Sequence, residues 1–92
     1  MSPIHPGRIL QRELKSRGLS ANQLALALRV PSGRVTSLLH GKRSITPDTA
    51  LRLARYFGNS AQFWLNLQTR YDLLKAEAEL GPRIKAEVIQ AK

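Results

Sequence analysis

Helix stop and start signals punctuate this chain so closely that no alternating strand of useful length fits between them. Gly18 precedes Ser20, Pro31 precedes Ser32, Gly41 precedes Thr46 and Pro47, and Gly58 precedes Ser60. Glycine ends helices by taking left-handed dihedrals, and hydroxyl side chains open them by accepting an orphan N–H. Proline suits the first helical position. Between these marks apolar residues recur at three and four, the helical period. Pro6 opens the first helix, and Ile9, Leu10 and Leu14 form its stripe before Gly18. Ser20 and Gln23 make a capping box ahead of Leu24, Ala25 and Leu28. Pro31 disfavours helical geometry at Val30, and Ser32 is expected to cap a third helix buried through Val35, Leu38 and Leu39. Ala50, Leu53, Ala54 and Phe57 mark a fourth helix, and Phe63, Trp64, Leu67, Tyr71 and Leu74 a fifth. "GPR" at 81–83 is expected to separate off a short final segment. The fold class is therefore all-α.

Charge narrows the function. Fifteen Lys and Arg against six Asp and Glu give +9 in 92 residues, a balance that points to a polyanion, most often nucleic acid. No acid lies between Glu13 and Asp48, whereas Lys15, Arg17, Arg29, Arg34, Lys42 and Arg43 all do. Asp72, Glu77, Glu79 and Glu87 follow residue 71, so the positive field belongs to the first half. The chain has no Cys, and its two histidines, His5 and His40, have no carboxylate nearby at metal-site spacing. No metal, cofactor or small-molecule substrate is expected. No apolar run reaches the roughly 20 residues of a membrane span. "MSPIHPGRIL" lacks the apolar stretch of a signal peptide, so a cytoplasmic protein is expected.

Helices near 20–28 and 32–40 joined by three residues have the layout of a helix-turn-helix, whose second helix enters the DNA major groove. Ala25 allows a close crossing, and Val30, Val35 and Leu38 fill the angle between the helices. Val35, Leu38 and Leu39 hold the second helix to the core. Its opposite face, Ser32, Gly33, Arg34, Thr36 and Ser37, is small, polar and cationic, as approach to base edges requires. Phosphate contacts are assigned to Ser20, Lys42 and Arg43, which position the protein without reading sequence.

"SANQLALALRVPSGRVTSLLHGKRSIT" resembles the helix-turn-helix of the phage-repressor-like (XRE) superfamily. More narrowly, "HPGRIL", "VPSGRV" and "GKRSITPDTALRLARYFGNSAQFWLNLQTRYDL" resemble the HigA family of toxin–antitoxin antidotes, over roughly residues 5 to 75. Arg8 departs from the family's usual Glu, and "SGR" is less basic than the corresponding run in other members. The resemblance implies a five-helix repressor. The chain is read as a helix-turn-helix domain over 1–80, including a C-terminal dimerisation helix, with residues 81–92, which follow no clear family pattern, a short tail or helix. The resemblance also implies a dimer that represses its own operon and binds a HigB-type toxin, an mRNA-cleaving ribonuclease.

All five aromatic residues lie between Tyr56 and Tyr71, where apolar side chains occupy more of the last helix than one core contact needs. Phe63, Trp64, Leu67 and Tyr71 are accordingly expected at a homodimer contact, with Trp64 divided between core and interface. A dimer also suits a reader whose single helix covers only a few base pairs. The alternative reading is a stand-alone transcriptional regulator with no toxin. No nucleophile is accompanied by a His–carboxylate pair, and there is no glycine-rich phosphate loop, so catalysis is not expected. The aromatics cluster away from the basic half, which argues against an RNA-binding surface.

Overall fold

The computed structural model describes residues 2–91, and in it the expected helices form in the expected order. α1 runs Pro6–Arg17, α2 Ala21–Leu28, α3 Ser32–Leu39, α4 Pro47–Phe57 and α5 Ala61–Glu87, with no strand among the described residues. Local chemistry sets most of the boundaries. Gly18 and Gly58 close α1 and α4 in left-handed geometry, and Ser20 and Gln23 form the reciprocal capping box of α2. Thr46 and Ser60 accept the N–H groups of Thr49 and Phe63 at the starts of α4 and α5.

Three features of the helix ends differ from the sequence reading. Ser32 is the first residue of α3 and does not cap it; Pro31, extended at φ −60° and ψ 143°, occupies the cap position and offers no side-chain acceptor. α2 ends at Leu28, as expected, but by another device: its C-cap Arg29, one residue before the position that Pro31 restricts, turns left-handed at φ 61°. That geometry, unfavourable for a residue with a Cβ, is locked by Val30 N–H donating to the Ala25 carbonyl. The third difference lies at Gly81-Pro82-Arg83, where no break occurs. α5 carries Pro82 within it and continues to Glu87. Proline removes one backbone bond from the ladder, but a helix that has run unbroken from Ala61 to Gly81 needs no new nucleus to pass it.

The core is built from one face of each helix. Leu10, Leu24, Leu38, Leu53 and Trp64 are almost wholly buried, one from each helix in turn. Each such side chain contributes about 1.5–3 kcal/mol of transfer free energy. Leu39, expected in the buried stripe, only flanks the core, as do Val30, Phe57 and Leu67. Ile45 enters it from the loop between α3 and α4, a position without helical periodicity to announce it. α1 meets α3 at unusually close range: a Cβ on Gly7 would overlap the Leu38 carbonyl. The glycine therefore allows the start of α1 to abut the end of α3. Beyond the core, the C-terminal part of α5 extends the molecule to 52 Å along an axis whose cross-section is 22 × 22 Å.

Candidate nucleic-acid interface

Successive residues on a helix are about 100° apart, which places Ser32, Gly33, Thr36 and Ser37 within one sector of α3. Val35 and Leu38 occupy the opposite side and are buried. Ser32, Gly33 and Thr36 are exposed and Ser37 is half-buried. A Cβ on Gly33 would meet nothing within 4 Å, so this part of the helix faces open space. The Thr36 hydroxyl donates to the Ser32 carbonyl at 3.0 Å, one turn back. That bond fixes the hydroxyl's direction and leaves its lone pairs to accept.

Arg34 does not lie where the sequence reading put it. It sits at the margin of the polar sector, beside Leu38, and its Nη1 donates to Asp48 Oδ2 at 2.6 Å. Only 28% of the side chain is exposed, and it helps line a small gap in the core with Val30, Val35 and Leu53. The small polar side chains thus share an open face, while the guanidinium is turned toward α4. Asp48 in turn receives Arg52 Nε at 3.0 Å, and Arg52 Nη1 donates to the Leu28 carbonyl at 2.8 Å. The hydrogen bonds from Arg34 and then Arg52 hold the Asp48 carboxyl below the ordinary carboxylate range.

The phosphate candidates are exposed. Lys42 and Arg43 follow α3, and Lys42 N–H donates to the Ser37 carbonyl at 2.9 Å, tying the loop to the end of the helix. The Ser20 hydroxyl oxygen accepts Gln23 N–H at 3.0 Å, which leaves its own hydrogen to donate outward.

Two residues that support this surface escaped the sequence reading. His5 caps α1, its Nδ1 accepting Gly7 N–H at 2.9 Å. The ring lies edge-on to Tyr71 at 4.9 Å and packs against Gly41 at the start of the basic loop, where an added Cβ would lie 3.6 Å from it. It therefore links α1, the basic loop and α5, and burial lowers its pKa from 6.5. A His directly before a helix-opening proline was the available signal. Gln68 is 5% exposed; its Oε1 accepts Ile45 N–H at 2.8 Å, and its Nε2 donates to Asp72 Oδ1 at 2.9 Å. It anchors the α3–α4 loop to α5. The signal there was a glutamine one turn after Trp64 on the buried side of the helix.

The candidate dimer residues separate. Trp64 is 1% exposed and belongs to the core, with Nε1 donating to Asn59 Oδ1 at 2.9 Å. Its ring therefore lies within the protomer's own core and not on its surface. Phe63 is 43% exposed and packs edge-on to Trp64. Leu67 and Tyr71 are half-buried, and with Ile4, Ile9 and Leu74 they line a cleft of about 140 Å³ between the N-terminal segment and α5.

Residues 10–64, more than half of the chain, match the helix-turn-helix family. Virulence-associated protein I of Dichelobacter nodosus is 56% identical over 80 residues, which cover 86% of this chain and 74% of that protein. An addiction-module antidote protein of a HigA family from Coxiella burnetii superposes with a TM-score of 0.96 at 53% identity, covering 99% of this chain and 100% of that one. Pseudomonas aeruginosa antitoxin HigA, solved with the higBA promoter, gives 0.94 at 44% identity, covering 98% and 99%. The chain belongs to the helix-turn-helix family and, within its XRE type, to the HigA family.

Proposed function

We propose that this protein is a DNA-binding antitoxin that binds operator DNA as a homodimer, represses its own operon and neutralises a HigB-type mRNA-cleaving toxin. The observation that carries the reading is the open polar face of α3 beside an exposed basic loop, on a fold shared with an antitoxin solved on its promoter. Ser32, Gly33, Thr36 and Ser37 meet base edges in the major groove, with Arg34 at their margin. Ser20, Lys42 and Arg43 hold the flanking phosphates. Phe63, Leu67 and Tyr71, on one side of α5, supply the contact between protomers, without Trp64. Residues 1–80 form the working domain and 81–92 extend it. The protein acts in the cytoplasm, without catalysis or cofactor; no helix among the described residues is long and apolar enough to cross a membrane.

Footprinting on DNA upstream of its own gene tests DNA recognition. Protection of a palindrome with half-sites about 34 Å apart is expected, and absence of any protected segment overturns the reading. Co-expression with the adjacent open reading frame tests the toxin function. Relief of that frame's growth arrest, with a stable complex, is expected. A protected operator with neither result leaves a regulator that has no toxin.

A further inference from the structure

Asp48 is the only acid between Glu13 and Asp72, and it stands beside the helix proposed to read DNA. Both of its oxygens are engaged, one by Arg34 of α3 and the other by Arg52 of α4. Arg52 is braced from behind by the last carbonyl of α2. The carboxylate is therefore held in place when it takes Arg34, although Asp48 itself is exposed. A guanidinium on the edge of the reading face is matched to an internal counter-charge and is not offered outward.

We propose that Asp48 is a specificity-determining residue that withholds Arg34 from the phosphates of non-operator DNA. The inference rests on the DNA-binding reading above. Every duplex presents phosphates in the same array, so a bare cation beside α3 strengthens binding to all sequences alike through counterion release. That gain raises non-specific affinity without adding discrimination. Pairing with Asp48 cancels it. Only a contact that surpasses the carboxylate draws the guanidinium away, and a guanine edge accepting two parallel N–H bonds is the one B-DNA offers in the major groove. Operator binding is thus disturbed less by Asp48 than binding elsewhere.

The experiment compares the intact protein with Asp48→Asn on its footprinted duplex and on a scrambled duplex of equal length, over a salt series. Asparagine keeps the size of the side chain and removes its charge. Affinity for the scrambled duplex is expected to rise roughly three- to tenfold, with its log–log salt slope steeper by about 0.9 per subunit. Operator affinity is expected to change less, so the ratio of the two falls. Asp48→Glu, which keeps the charge, should hold the ratio near that of the parent. In an Arg34→Met background, which preserves the apolar stem, Asp48→Asn should have no such effect. An unchanged ratio overturns the proposal. So does a parallel fall of both affinities with the melting temperature, which marks a bracing role alone. A gain of equal size without Arg34 overturns it too, because Asp48 would then be repelling phosphate directly. A parent protein with no preference between the duplexes fails at the earlier step and removes the DNA-binding reading itself.

Discussion

Gln68 satisfies a backbone N–H that would otherwise be stranded in the core, and its removal has a definite cost. Gln68→Leu keeps the bulk but leaves Ile45 N–H without its acceptor, so a loss of about 1–3 kcal/mol is expected in urea denaturation. Trp64→Ala is more severe. The ring is buried, and large-to-small aromatic changes in cores cost about 3–5 kcal/mol. Circular dichroism should show the helices melting at a lower temperature even in dilute samples, where association contributes nothing. His5 makes stability depend on pH. Burial lowers its folded pKa below the 6.5 of the unfolded chain, so between those two values the unfolded state binds more protons. Its contribution is complete above 6.5 and lost as the pH falls through the folded value. Melting temperatures should drop between pH 7 and 5, and His5→Asn, which still caps a helix but does not titrate, should flatten that part of the profile. A profile identical to the parent's would remove His5 from the account.

Among the helices, most beginnings were legible because one side chain determines each. Ser20, Thr46 and Ser60 act within three residues of themselves, and Gly18 and Gly58, which close helices, within four. What sequence reasoning missed depends on partners far along the chain. Ile45 and Gln68 are 23 residues apart and Arg34 and Asp48 are 14 apart. No periodicity encodes such pairs, and Arg34 therefore reads from sequence as a free cation. The reading of α5 failed at Pro82 for a different reason: propensity describes an isolated turn, whereas here the turn extends an existing helix. The basic loop after α3 gives the prediction proper to this scale. Lys42→Ala and Arg43→Ala should each weaken operator and scrambled duplexes by similar factors. Each should also flatten the salt slope by about 0.9 per subunit, the value of one phosphate no longer neutralised. Fluorescence anisotropy at several salt concentrations would measure both. A change confined to the operator would assign the residue to base reading instead.

For the whole molecule, the radius of gyration of 15.9 Å exceeds the roughly 12 Å of a compact domain this size, because α5 outruns the core. Phe63→Glu would place like charges across a dyad formed by this helix. Sedimentation at micromolar concentration should then show a folded monomer, and a dimer of parental affinity would move the contact elsewhere. A different consequence follows from the seating of Gly7 on the Leu38 carbonyl. α3 is already wedged at its C-terminal end before any DNA arrives, so docking adds no folding step. Ordering a loose eight-residue helix on binding would add about 100–120 cal/mol/K to the magnitude of the negative heat-capacity change. Titration calorimetry across several temperatures should find that increment missing in the parent protein, its heat capacity set by the apolar area covered. A Gly7→Ala variant, with α1 forced off that carbonyl and α3 loosened, should show the increment.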